Sequence, residues 1–169
     1  LVFSHYFFAK KEVNTIIIPI PNISEVENVS NINISFEGYL KASVSIEGIS
    51  ENYASVVLKA GCYLIRATTD ACVGEAIRKG IEGKIDFRPT VYDVISEAFR
   101  KFGIRVVAVK IVDLRNSTFF GELILQKEDK ILSLDIRPSD ATAIALRTNA
   151  PIYIKEDIAK KVGEYICWF

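Results

Sequence analysis

Two short stretches hold the residues best suited to phosphate chemistry. Arg88-Pro89-Thr90, with Asp93 close behind, and Arg137-Pro138-Ser139, followed by Asp140, each place a guanidinium, a hydroxyl and a carboxylate where a helix is expected to begin. Proline suits the first helical position, because its missing N–H would have no partner there. Free N–H groups and the positive dipole end of a helix attract an anion, and a flanking arginine can grip two phosphate oxygens at once. The carboxylates in the same turn favour a cation. Anion donors beside carboxylates are what metal-assisted phosphodiester hydrolysis requires. On this reading Arg137, Ser139, Arg88 and Thr90 bind phosphate, and Asp135, Asp140 and Asp93 are the candidate catalytic residues. The competing reading is structural, since proline starts helices and Ser, Thr and Asp cap them.

A second grouping follows from register. A tight turn at 127–130 would set Glu122 opposite Asp135, and Phe120 opposite Arg137. Like charges directly opposite destabilise a sheet unless something bridges them. Alternation along the strand would also put Asp135 and Arg137 on one face. Glu122, Asp135 and Asp140 are therefore the expected ligands of a divalent cation, and all-oxygen donors point to Mg²⁺ or Mn²⁺. The alternative is a solvated sheet face, with Lys127 or Lys130 as counter-charge.

Other chemistries are poorly supplied. Cys72 falls in a helical run and no histidine is placed to activate it, since the only one is His5. There is no glycine-rich dinucleotide or P-loop motif. The aromatics Phe119-Phe120, Tyr165 and Trp168-Phe169 could stack on bases, but buried packing or an oligomer contact accounts for them as well.

The elements that must position these residues repeat. Residues 39–47 alternate Leu40, Ala42, Val44, Ile46 against Lys41, Ser43, Ser45, Glu47, the pattern of a half-buried strand. Strands at 53–59 and 62–67 follow around Ala60-Gly61, then a helix over 69–81 with Asp70 in its first turn and Gly83 as its stop. A helix led by Pro89 runs to Gly103, with Val91, Val94, Ile95, Ala98 and Phe102 at helical spacing. Strands at 104–113, 118–126 and 131–136 and a helix at 138–148 then restate the first half, with Asp70-Ala71 echoing Asp140-Ala141. Asn149 should cap that helix, ahead of a short strand at 152–154 and an amphipathic terminal helix carrying Ile158, Val162 and Ile166. The expected fold is α+β: duplicated strand-strand-strand-helix units in a mixed, mostly antiparallel sheet with packed helices. Residues 1–37, with an edge strand at 15–18, read as an N-terminal extension to a domain at 38–169.

Composition bounds the function. The chain has 169 residues, the size of one domain, and its 21 basic and 21 acidic side chains cancel. Nucleic-acid binding would then depend on a local patch, because there is no basic excess to neutralise phosphates. Cys62, Cys72 and Cys167 are too few and scattered for a disulfide framework, so free thiols in a cytoplasmic protein are expected. No apolar run approaches the roughly 18 to 20 residues of a membrane span.

Asp135-Ile136-Arg137-Pro138-Ser139-Asp140-Ala141-Thr142-Ala143-Ile144-Ala145-Leu146-Arg147, then Ala150-Pro151-Ile152-Tyr153-Ile154, resembles the signature of the bifunctional nuclease family, whose members have a DNase/RNase domain. Arg88-Pro89-Thr90-Val91-Tyr92-Asp93 resembles that family's Arg-Pro-x-x-His-Asp block, with Tyr92 in place of the histidine. Glu75-Ala76-Ile77, followed by Ile81-Glu82-Gly83, matches a third block. The blocks together span about residues 38–155. The resemblance implies the family's fold and hydrolysis of RNA and DNA with low sequence specificity. Single-stranded or flexible nucleic acid is the expected partner, and a homo-oligomer the expected assembly. The rival is a non-catalytic, oligomerising regulatory or binding module that keeps only the fold. Exposure discriminates the two: catalytic residues should line an open cleft, whereas a structural Arg137–Asp140 pair should be buried.

Overall fold

The computed structural model describes residues 34–167. The strand expected at 15–18, most of the N-terminal extension and Trp168-Phe169 lie outside them. In chain order the elements are β1 (Tyr39–Ile49), β2 (Tyr53–Ala60), β3 (Tyr63–Asp70), α1 (Ala71–Glu82), α2 (Val91–Lys101), β4 (Arg105–Arg115), β5 (Thr118–Lys127), β6 (Lys130–Ile136), α3 (Pro138–Thr148), β7 (Ile152–Lys155), α4 (Glu156–Val162) and β8 (Glu164–Tyr165). The fold is α+β. No helix among the described residues is long and apolar enough to cross a membrane.

The expected duplication is visible in the topology. β1-β2-β3 and β4-β5-β6 are antiparallel meanders, each followed by a helix that packs on the other, α1 against α3. The strand order is β6-β5-β4-β7-β1-β2-β3-β8, so β7 lies between the halves, parallel to β4 and antiparallel to β1. Turn chemistry sets the registers. Asn116 and Ser117 both take positive φ, 47° and 62°, which a two-residue hairpin loop needs to match strand twist.

One face of the sheet is the core face. Ala42, Leu58, Ala60, Ile65, Val109, Ile111, Leu123, Ile152 and Ile154 are buried there with Ala141, Ile144 and Ala145 of α3. Val56 packs with Val73, Ala76 and Ile77 of α1. Small residues allow the close approach: a Cβ on Gly74 would fall 2.0 Å from the Cβ of Ala54, and one on Gly80 would fall 2.9 Å from the Cβ of Leu146. Burial of this apolar face is the main stabilising term at about 25 cal/mol per Å².

Three sequence expectations change. Asp70 ends β3 and is the N-cap of α1, preceding the helix instead of lying in its first turn. Pro89 precedes the N-cap Thr90 and is not the first helical residue of α2. The terminal helix stops at Val162, because the chain turns extended at Gly163 and pairs Tyr165 with Tyr63 as β8. A Cβ at Gly163 would meet Ala159 O at 2.4 Å and the Tyr63 Cβ at 3.0 Å, so the crossing requires glycine.

That return strand also overturns the free-thiol expectation. It brings Cys167 beside Cys62, and the two form a disulfide with Cα atoms 5.2 Å apart across a sequence separation of 105. Cys72 alone is a free, exposed thiol among the described residues.

Candidate active site at the paired helix starts

The α3 start forms as its sequence dictates. Arg137 is the N-cap in extended conformation, Pro138 occupies the first turn and Asp140 follows in the same turn. Arg137 Nε donates to Asp140 Oδ2 at 2.7 Å, its Nη2 reaches Oδ1 at 3.4 Å, and its Nη1 donates to Asp70 Oδ2 at 3.0 Å. The Asp70 partner is not visible as a contact in sequence. β3 and β6 are six places apart in the sheet order. A flat sheet would separate strands so placed by about 29 Å at about 4.8 Å per strand. The sheet therefore curls around its helices until the starts of α1 and α3 meet.

Asp140 takes a third bond, from Tyr92 Oη at 2.5 Å. Burial pushes its carboxyl up, but the bonds from Arg137 and Tyr92 outweigh that and hold it below the usual carboxylate value. Burial, and then the bond to Asp140, push the Tyr92 phenol up to about 12. The tyrosine standing in the family's histidine position is thus a fixed donor to Asp140, and no base at neutral pH.

The two helix starts open on a cleft of about 470 Å³ lined by Asn52, Tyr53, Asp70, Phe119, Arg137 and Ser139, among others. The Arg137 and Asp70 side chains are 61% and 65% exposed, and Asp140 is 20% exposed. The Arg137–Asp70 contact is therefore screened by water and worth little to stability. Its guanidinium is held in place, yet accessible from the cleft.

The second Arg-Pro stretch is built differently. Thr90 N–H and Oγ1 both donate to Asp93 Oδ2, at 2.7 and 2.6 Å, the reciprocal cap of α2. The other Asp93 oxygen accepts from Arg147 Nε at 2.5 Å, in a pair with side chains 6% and 9% exposed. Burial raises the Asp93 carboxyl and the Thr90 and Arg147 bonds more than offset it, so it stays low. Asp93 and Thr90 are thus committed to capping and to a buried ion pair, away from the Arg137 cleft. Arg88 lies exposed before α2 and forms no ion pair with a described residue. Asp140 and Arg147 are seven residues apart, two turns of α3, so one face of that helix meets the adjacent Tyr92 and Asp93 of α2. That spacing was the available sequence signal for both contacts.

Glu122 and Asp135 do face each other across β5 and β6. Their partner in the proposed ion site does not join them. Gly121 and Ile136, one residue along, turn toward α3, where a Cβ on Gly121 would meet Pro138 Cγ at 3.1 Å. Alternation then directs Glu122 and Asp135 to the opposite face, away from Asp140. The strand also ends at Ile136, so Arg137 neither shares the Asp135 face nor pairs with Phe120. Among the described residues no three His, Cys, Asp or Glu side chains gather to hold a metal ion. The cation directly opposite Glu122 on that face is Lys110. Lys110 Nζ lies 4.0 Å from the centre of the Tyr39 ring. The carboxylates actually flanking Arg137 are Asp70 and Asp140, and both accept its hydrogen bonds.

Residues 43–166 match the bifunctional nuclease domain. The chain belongs to that family. An uncharacterized protein of Mycobacterium tuberculosis is 38% identical over 76 residues, 45% of this chain and 44% of that protein. Bifunctional nuclease 1 of Oryza sativa subsp. japonica is 37% identical over 79 residues, and bifunctional nuclease 2 of Arabidopsis thaliana is 35% identical over 79. Each of these plant matches covers 45% of this chain and 24% of the plant protein. The chain thus spans less than half the length of the curated relatives it matches. Membership extends over both halves of this bifunctional nuclease domain, from β1 to β8, and includes both helix starts.

Proposed function

We propose that this domain hydrolyses phosphodiester bonds of RNA and DNA in the cleft between the starts of α1 and α3. The observation that carries the reading is Arg137: it lines the cleft, is 61% exposed, and is oriented by Asp140 from behind. A purely structural pair would be buried. In the proposed reaction Arg137 binds the phosphate oxygens, with Ser139 and the free N–H groups of the first turn of α3 beside it. Arrival of the anion releases Asp70 from Arg137, which leaves that exposed carboxylate free to orient or deprotonate the attacking water. Asp140, tied to Arg137 and Tyr92, positions the guanidinium. A magnesium or manganese ion belongs to the proposal, held by the released Asp70 together with water and the substrate's own phosphate oxygens; bound, it would polarise a phosphoryl oxygen.

The walls of the cleft support single-stranded or flexible nucleic acid as the substrate. Tyr53, 57% exposed, and Phe119 offer ring faces on which any base can stack, which fits low sequence specificity. Self-association is also proposed, since Ile85, Phe87, Val91, Val94 and Phe102 are all exposed on or near α2. Light scattering reads it directly. A cytoplasmic location belongs to the reading only if Cys62 and Cys167 are thiols in cells, because disulfides persist mainly in oxidising compartments.

The test is cleavage of fluorescent single-stranded RNA and DNA with Mg²⁺, Mn²⁺ or EDTA, comparing wild type with Asp140→Ala. Cleavage that a folded Asp140→Ala protein loses is the expected result. Cleavage unchanged by the substitution places the reaction elsewhere, and no cleavage under any condition favours the binding module.

A further inference from the structure

Away from the cleft, α1, α2 and α3 enclose a second cavity of about 350 Å³ near the C-terminal ends of α1 and α3. Two of its lining side chains carry buried polar atoms with no partner among the described residues, Ser96 Oγ and Arg147 Nη2. Ser96 is 8% exposed, and the Arg147 side chain 9%. Leaving a buried donor unsatisfied costs about 1–3 kcal/mol, and more when it is charged, so a native fold rarely does so without a reason.

The Arg147 guanidinium cannot turn to relieve this. Its Nε is held by Asp93, and its Nη1 donates to Ala76 O at 2.9 Å and Ala143 O at 2.8 Å. Only Nη2 is left over. Three nearby helix carbonyls, by contrast, are taken. Gly83 N–H donates to Gly80 O at 3.3 Å, Lys84 N–H to Lys79 O at 2.9 Å, and Ala150 N–H to Ala145 O at 3.0 Å. The cavity therefore has donors to spare and calls for a ligand rich in acceptors.

Lys79, Lys84, Arg100 and Arg147 line the cavity, each already paired with a carboxylate: Lys79 with Asp86 and Glu75, Lys84 with Glu82, Arg100 with Glu97 and Arg147 with Asp93. The negative ends of α1 and α3 oppose an anion by about 0.3–1 kcal/mol each at exposed positions. A hydrogen bond to a charged group contributes about 1.5–3 kcal/mol, so the bonds that Arg147 Nη2 and Ser96 Oγ would make to an anion outweigh that opposition.

We propose that this cavity is a second ligand site, which takes a small oxyanion of the phosphate class on Arg147 Nη2 and Ser96 Oγ, with Lys79 and Arg100 at its rim. Free phosphate and a mononucleotide's phosphate share that chemistry. The site is separate from the Arg137 cleft and stands whether or not the domain is a nuclease.

The experiment titrates inorganic phosphate, and in parallel AMP, into the full ¹⁵N-labelled chain, following the amides of Ser96, Gly83 and Arg147. Wild type is compared with Ser96→Val and Arg137→Ala, and Ser96→Ala serves if the valine protein does not fold. Saturable shifts at these amides are expected, unchanged in Arg137→Ala and weakened about tenfold or more by loss of the Ser96 hydroxyl. Tighter binding of AMP than of phosphate assigns a mononucleotide, and equal binding assigns free phosphate. The proposal is overturned by the absence of saturable shifts, as in a cavity holding only water. It is equally overturned by shifts that survive in both Ser96 variants, or by shifts that Arg137→Ala abolishes.

Discussion

Asp70 and Arg137 occupy the same place in the two halves of the fold, each the N-cap of a helix that follows a three-stranded meander, and they touch at 3.0 Å. The sequence echo between Asp70 and Asp140 is misleading by three positions, since Asp140 lies inside α3 while Asp70 precedes α1. Opposite charges at equivalent positions thus meet at the junction of the halves. In the proposed reaction a phosphate competes with Asp70 for Arg137, while Asp140 keeps hold of the same guanidinium.

Replacing Arg137 by lysine keeps the charge and removes the fork that meets two oxygens at once. The expected result is a folded protein whose kcat/KM for single-stranded RNA and DNA falls about 10²-fold, as for loss of one preorganised donor to a reacting phosphate. Glu122→Gln and Asp135→Asn, on the opposite face, should leave kcat/KM unchanged. Wild-type activity in Arg137→Lys, with loss in Asp135→Asn, would move the site to the other side of the sheet.

Tyr92 makes stability fall at alkaline pH. Its folded value is raised from 10.0 to about 12, so between those values the unfolded chain releases a proton that the native protein retains. The contribution is complete below pH 10 and is lost as pH rises through about 12. Urea unfolding from pH 8 upward should show this decline in wild type and a shallower one in Tyr92→Phe. The variant should also be about 1 kcal/mol less stable at neutral pH, for the lost bond to Asp140. Identical alkaline profiles would mean that Tyr92 is neither buried nor bonded to Asp140 in solution.

Asp140 and Asp93 act in the opposite direction, because both carboxyls are held below their ordinary value of 3.8. Their contribution is present above that value and is lost as pH falls through the lower folded values. For the buried pair, Asp93→Asn should cost about 3–5 kcal/mol, because Arg147 is left charged and unpaired. Asp93→Asn combined with Arg147→Met should recover much of that loss. A fully stable but inactive Asp93→Asn protein would instead give Asp93 a role in the reaction.

The Cys62–Cys167 bond ties the end of the described chain to the β2–β3 turn. Thiol titration of denatured, unreduced protein should find one reactive thiol, Cys72, and reduction should raise that to three. Reduction or Cys167→Ser should lower stability by about 2–5 kcal/mol, as for other long closed loops. Three thiols before reduction would show that the bond does not form and would fit a reducing compartment.

Much of the molecule is determined by local sequence. Alternation sets the strands from Leu40 onward, and glycine or asparagine with positive φ ends α1 and α3 at Gly83 and Asn149. The turn at 128–129 fixes Glu122 opposite Asp135, and Pro138 with Asp140 in the first turn starts α3. Such features depend on neighbours a few residues away, so a one-dimensional reading suffices for them. Which side of the sheet each carboxylate faces, which of Asp93 and Asp140 is the more deeply buried, and which residues meet across 67 positions, as Asp70 and Arg137 do, depend on sheet curvature and helix packing. Those are sums over many distant contacts. No short window contains them, and so the metal trio failed to assemble, a disulfide closed unannounced, and Tyr92 turned out to hold Asp140.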